Sequence, residues 1–133
     1  MLEYFYPLKE DILMNLHESA EMYLETIYIL SLRSQSVRSI DVAECMGYSK
    51  PSVSRAVSLL KQGGYLTMAT DGSLTLTQQG IDAAKNIFTR HNILTEFLEK
   101  IGVDKETASS DACKIEHVIS EKTIKAIEEF MQK

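Results

Sequence analysis

Cysteine, proline, glycine and tryptophan are all scarce in these 133 residues: two cysteines, two prolines, six glycines and no tryptophan. Cys45 and Cys113 cannot build a disulfide framework, so a reduced, cytoplasmic setting is expected. So little glycine and proline leaves little room for long loops and predicts a mostly helical chain. No apolar run approaches the roughly 20 residues that a membrane span requires. The first 16 residues mix Glu3, Lys9, Glu10 and Asp11 with aromatics and lack a basic leading region, so no signal peptide is expected. Glycine-rich phosphate loops, Cys-x-x-Cys pairs and a Gly-x-Ser-x-Gly turn are also missing. What remains is an ordinary globular balance, 44% apolar and 25% charged, in a chain the size of one domain or of two small ones sharing a core.

The net charge is −5, which taken whole argues against a polyanionic partner. Its distribution argues the other way. Residues 1–32 carry one base and six acids, residues 33–90 seven bases and four acids, and residues 91–133 six bases and nine acids. A basic block between acidic flanks is the footprint of a polyanion bound on one face only.

Apolar residues Ala20, Tyr23, Leu24, Ile27, Tyr28 and Leu30 recur at helical spacing and predict a helix from Glu18 to Leu32. Ser39 is placed to cap a short helix through Met46, with Ile40, Val42, Ala43 and Met46 inward and Gly47 as its left-handed stop. Ser49 reads as the cap of the next helix, with Pro51 in its first turn and Val53, Ala56, Val57, Leu59 and Leu60 inward, ending at Gly63-Gly64. Helix, short glycine-containing turn and helix make a helix-turn-helix. Two short strands follow, Tyr65–Met68 and Ser73–Leu76, around the turn signal Asp71-Gly72; a hairpin there is a wing. Thr77 then caps a long helix over Gln78–Lys100, expected to bury Ile81, Ala84, Ile87, Phe88, Leu94, Phe97 and Leu98. Helices over Lys105–Val118 and Glu121–Gln132, with Ser120 as the cap between them, complete a mainly α chain.

With Val53, Ala56, Val57 and Leu60 turned to the core, the second helix of the motif presents Lys50, Ser52, Ser54, Arg55 and Ser58 outward, and Ser49 and Pro51 at its leading end. Small hydroxyls allow close approach to a DNA groove, Arg55 can bond guanine O6 and N7 together, and Lys50 near the helix N-terminus suits a phosphate. Arg38, just ahead of the first helix of the motif, joins the expected DNA-contacting set.

The segment Asp111-Ala112-Cys113-Lys114-Ile115-Glu116-His117 holds a second signal. On a helix, Cys113, Glu116 and His117 stand at i, i+3 and i+4, so thiolate, carboxylate and imidazole share one face, a combination that suits a metal ion better than packing. Met22 and Glu25 form a pair at i and i+3 on the first helix. Singly, a Met there would be core and a Glu solvated, and His91 alone is ambiguous.

Together, Glu21-Met22-Tyr23-Leu24-Glu25-Thr26-Ile27-Tyr28, the helix-turn-helix with its Ser49-x-Pro51-Ser52-Val53-Ser54, the hairpin, Arg90-His91 and Cys113-x-x-Glu116-His117 resemble the diphtheria toxin repressor family of metal-dependent transcription regulators, over about residues 18–133. The resemblance implies a winged helix-turn-helix DNA-binding domain over 18–77 and a helical metal-binding and dimerisation domain over 78–133. Residues 1–17, His17 among them, form an unassigned N-terminal extension. Matched position by position, the metal ligands would be Met22, Glu25, His91, Cys113, Glu116 and His117. Iron-responsive members share Met22 and Cys113 but lack the acid at Glu25. Manganese-responsive members share Glu25 and His91 but carry carboxylates in place of Met22 and Cys113. The ancillary ligands of the iron branch are replaced, with Thr95 and Ser109 near their positions, and with the sequence stopping at Lys133 the SH3-like third domain of longer members is expected to be absent.

Two sulfur ligands are soft and favour Fe(II), with Mn(II) next and Co(II), Ni(II) or Zn(II) able to bind in vitro. The expected protein is a homodimeric, metal-activated repressor of metal homeostasis genes, not an enzyme, that binds a palindromic operator without contact with a membrane. The last two helices would offer Ile115, Val118, Ile119, Ile124, Ile127 and Phe130 to the partner subunit or, equally, use them to close the subunit's own core. Two rivals remain at this level: a winged-helix regulator sensing redox state at Cys113, and a small metallohydrolase using Glu25 or Glu116 as base.

Overall fold

The computed structural model describes the backbone of residues 10–133 and the side chains from residue 19 onward. The expected extension over 1–17 therefore falls largely outside the described residues, as does the side chain of His17. Helix α1 (Glu10–Arg33) begins ahead of the expected Glu18. It is followed by α2 (Ser39–Met46), α3 (Lys50–Gln62), β1 (Leu66–Met68), β2 (Leu74–Leu76), α4 (Gln78–Lys100), α5 (Lys105–Ile115) and α6 (Glu121–Gln132). Among the described residues, no helix is long and apolar enough to cross a membrane. The chain divides into two compact units, one running up to Ala84 and the other covering Lys85–Lys133, so the division falls within α4.

In the first unit the period-3.6 apolar faces of three helices and the inward faces of two strands share one core. Tyr23, Leu24 and Ile27 of α1, Val42 and Ala43 of α2, and Val53, Val57 and Leu60 of α3 pack with Leu66, Leu74 and Leu76. The cap of α2 differs from the expected one. Arg38, not Ser39, is the N-cap, and its backbone N–H donates to the Asp41 carboxylate at 2.9 Å, an acid that also suits the positive helix start. Ile40 and Leu59, expected inward, are exposed, because each lies beside the core-facing stripe of its helix and not on it. Gly47 ends α2 at φ 71°, its N–H bonding to the Ala43 carbonyl, and Ser49 caps α3 by accepting from the Ser52 N–H.

The wing is a two-stranded antiparallel ribbon with Leu66 opposite Leu76, Thr67 opposite Thr75 and Met68 opposite Leu74. A ribbon this short needs outside support. Val37 supplies it as a third, one-residue strand, its carbonyl accepting from the Leu74 N–H at 2.7 Å, and the Ser36 and Ser73 hydroxyls meet at 3.2 Å. At the tip, Asp71 accepts from the Ser73 N–H at 2.9 Å.

The second unit closes a smaller core of Leu94, Ala112 and Ile124, flanked by Ile93, Ile115, Ile119 and Ile127. Of the residues expected to face a partner or to close the subunit's own core, Ile124 is buried here with Ile115, Ile119 and Ile127 partly buried against it, and Val118 and Phe130 are exposed. Phe88 is likewise exposed, not buried. Helix α5 ends at Ile115, short of the expected Val118, because the Val118 and Ile119 N–H groups both turn back to the Ile115 carbonyl at 3.0 Å.

Candidate metal centre and nucleic-acid interface

The packing of α3 decides what it shows to solvent. Once Val53, Val57 and Leu60 are committed to the core, Lys50, Pro51, Ser52, Ser54, Arg55 and Ser58 are all exposed, with Ser49 at the leading end. The only charges among them are positive, and the helix N-terminus adds its own partial positive charge. Arg38 sits outside α3, and its guanidinium lies 3.9 Å from the Asp71 carboxylate at the tip of the wing, with both side chains more than half exposed. The same surface includes a residue not anticipated from the sequence. Tyr48, in the turn before Ser49, is 45% exposed and meets Tyr23 edge to face at 6.1 Å. It borders an open groove of about 540 Å³ that Ser19, Ser52, Arg55 and Leu59 also line. An aromatic in a turn otherwise made of glycine and serine was the available signal. Burial raises the Tyr23 phenol above its ordinary value, with Tyr48 beside it adding to the effect.

In the second unit four of the expected ligands come together. Although α5 stops at Ile115, Glu116 keeps helical dihedrals (φ −58°, ψ −25°) and its N–H bonds to the Ala112 carbonyl, so the i, i+3, i+4 relation to Cys113 survives. One thiol sulfur, one carboxylate oxygen and one ring nitrogen from Cys113, Glu116 and His117 lie within 4.8 Å of one another. Glu116 has no exposed surface. A carboxylate so buried costs several kcal/mol unless charge or hydrogen bonds compensate it. Two imidazoles flank it: His91 Nδ1, from the middle of α4, at 2.7 Å from Oε2, and His117 Nε2 at 3.2 Å from Oε1. Cys113 is exposed and in no disulfide, so the cluster has a buried carboxylate inside and sulfur at its rim.

Met22 and Glu25 are half-buried on α1, one turn apart, in the first unit. Of the two hydroxyl residues expected near the lost ancillary positions, Thr95 donates to the His91 carbonyl at 2.8 Å, whereas Ser109 Oγ faces the His91 ring itself, 3.4 Å from Nε2.

The donor types fit a divalent transition metal. Bonds of about 2.0–2.3 Å from a zinc-like cation to N, O or S hold ligand atoms no more than roughly 4.6 Å apart. A winged helix with a basic leading face, joined in one chain to a mixed sulfur, carboxylate and imidazole cluster, defines the class of metal-responsive DNA-binding regulators.

Known proteins agree with that class. Residues 15–74 match the family described as iron dependent repressor, N-terminal DNA binding domain, and residues 77–133 match its metal binding and dimerisation domain. The chain is 32% identical over 118 residues to the uncharacterized HTH-type transcriptional regulator MJ0568 of Methanocaldococcus jannaschii, covering 87% of this chain and 94% of that protein. It is 36% identical over 114 residues to the HTH-type transcriptional regulator MntR of Lysinibacillus sphaericus, covering 86% and 82%. A solved manganese-dependent transcriptional repressor in complex with manganese superposes with a TM-score of 0.78 at 28% identity, over 85% of this chain. The chain spans about half the length of that longer structure, 52%. The chain belongs to the iron-dependent, or diphtheria toxin, repressor family of metal-dependent transcription regulators. This is a family of regulators and not of enzymes, which removes the metallohydrolase reading.

Proposed function

We propose that the protein is a metal-activated repressor that binds a palindromic operator as a homodimer and controls metal homeostasis genes in the cytoplasm. The observation that carries this reading is the buried Glu116 carboxylate, flanked by His91 and His117 with the Cys113 thiol at the rim. Residues 18–77 serve as the DNA-binding domain and 78–133 as the metal-binding and dimerisation domain. The ligands are Met22 and Glu25 from α1, His91 from α4, and Cys113, Glu116 and His117 from α5 and the turn after it.

The effector we favour is Fe(II), with Mn(II) second and Co(II), Ni(II) or Zn(II) able to bind in vitro. Thioether and thiolate donors support the softer ion. The relatives named for manganese support the harder one. When bound, the cation would supply positive charge to its anionic ligands Glu25, Cys113 thiolate and Glu116.

The protein's own contribution is geometric. Two recognition helices must enter major grooves about 34 Å apart, so anything that restricts the orientation of α1 relative to the dimerisation helices restricts that spacing. Pre-ordering of this kind typically couples effector and DNA by about 1–3 kcal/mol. On the duplex, Arg38, Ser49, Lys50, Pro51, Ser52, Ser54 and Arg55 form the contact set, Arg55 reading a base and Lys50 a phosphate.

Operator binding titrated separately with Fe(II), under anaerobic conditions, and with Mn(II) tests the reading. Tighter binding at lower free Fe(II) is expected. Equal binding without metal, with loss on peroxide treatment, would favour instead a redox response at the exposed Cys113 thiol.

A further inference from the structure

We propose that Ser109 is a positioning residue for His91: its hydroxyl oxygen takes the Nε2–H, and Nδ1 is thereby the ring nitrogen offered to the cation. This rests on the metal-binding reading above. The two ring nitrogens of His91 have different neighbours. With no cation bound, Nδ1 donates to the acceptor-only Glu116 carboxylate at 2.7 Å, a proton that a cation at Nδ1 would replace, and Nε2, on the far side of the ring, lies 3.4 Å from Ser109 Oγ. A neutral imidazole carries one proton, so a ring that gives its Nδ1 lone pair to a metal must keep the proton on Nε2. That N–H needs an acceptor, since the His91 side chain is only 20% exposed.

Ser109 is the side chain in place to accept it. It is half-buried on α5 and stands one helical turn ahead of Cys113, so the element that delivers the thiol delivers the hydroxyl as well. Thr95, the other hydroxyl nearby, donates to the His91 carbonyl and steadies the backbone of α4, not the ring. A histidine ligand whose second nitrogen is held keeps one tautomer and one ring orientation, and loss of such a partner typically weakens metal binding by about 10–100-fold.

The test uses the full chain and Zn(II) as the probe. Zn(II) affinity is measured by competition with a chromophoric chelator for the parent, Ser109→Ala, Ser109→Thr and His91→Ala. In parallel, nitrogen chemical shifts of the His91 ring are recorded in the Zn(II)-loaded parent, and circular dichroism confirms that each variant folds. Ser109→Ala should bind Zn(II) about tenfold more weakly or worse, and Ser109→Thr should restore binding. The ring should show a coordinated Nδ1 and a protonated Nε2. Parent-like affinity in Ser109→Ala, or coordination through Nε2, would overturn the proposal. If His91→Ala loses affinity while Ser109→Ala does not, the metal reading stands and the role of Ser109 falls. If His91→Ala binds as the parent does, or the parent binds no Zn(II), His91 is not a ligand and both fall.

Discussion

His91 Nδ1 and Glu116 Oε2 stand 2.7 Å apart although 25 residues separate them in the chain. Their contact ties the middle of α4 to the turn after α5, and it does so around a carboxylate with no exposed surface. Burying a carboxylate costs free energy that packing alone does not return.

Replacing Glu116 with Gln keeps the volume and removes the charge, while Cys113→Ala trims an exposed thiol. Both variants should fold, as judged by circular dichroism, and both should lose metal-stimulated operator binding in a gel-shift titration. Parent-like stimulation in both would mean the ligand assignment is wrong.

Arg55 extends from the solvent face of α3 beside the groove bordered by Tyr48. Arg55→Ala should weaken operator binding by about 1–3 kcal/mol if the guanidinium reads a guanine. The measurement is fluorescence anisotropy on operator and on scrambled duplex. A loss of the same size on both sequences would reassign Arg55 to the phosphate backbone.

Gly80, in the first turn of α4, is packed against the backbone. A Cβ added there would collide with the Tyr65 carbonyl oxygen, which already accepts from the Thr77 N–H at 3.0 Å. Because the obstacle is backbone, it cannot rotate aside, so Gly80→Ala should destabilise the protein by about 1–3 kcal/mol or more. Urea denaturation checks this, with Gly47→Asn as a comparison in open space at a left-handed cap. An unchanged midpoint in Gly80→Ala would show that β1 and the start of α4 can separate freely.

Asp104 caps α5, and the Thr107 N–H bound to its carboxylate holds its pKa below the ordinary 3.8. With the folded value depressed, the stabilising contribution is complete above the unfolded value and is lost as pH falls through the folded one. Amide exchange at Thr107 should therefore accelerate only below about pH 3.8, and Asp104→Asn, which caps without titrating, should remove that dependence. Exchange at Thr107 that ignores acid in the parent would argue against the cap.

Much of the fold was legible because it rests on local rules. The left-handed Gly47, the Ser49 cap with Pro51 behind it, the Ser120 cap and the period-3.6 stripes of α1, α3 and α4 are each set by residues within a few positions of one another. Even there, short helices misled. Arg38 displaced Ser39 as the cap of α2 because Asp41 could reach its N–H, and Ile40 and Leu59 sit at the margins of apolar stripes, where periodicity alone does not separate core from surface.

The candidate site divides in the same way. A repeat of three and four residues is enough to bring Cys113, Glu116 and His117 to one side of a helix, so that part needed no coordinates. The contact between His91 and Glu116 spans α4 and the end of α5, and no local pattern predicts which nitrogen of a ring faces which acid. The same holds for Ser109, which the family resemblance placed only near a replaced ligand and which lies against the His91 ring. It holds too for Ile115, Ile119, Ile124 and Ile127, whose helical stripes could face a partner or their own core and which pack against Leu94 and Ala112 in their own unit. From its sequence alone this chain was determined to be helical, winged and supplied with soft and hard metal donors, since helix, turn and donor chemistry are properties of near neighbours. Which acid is buried, which hydroxyl lies against the histidine ring and which isoleucines pack together were decided only in three dimensions, because burial depends on what the rest of the chain packs against them.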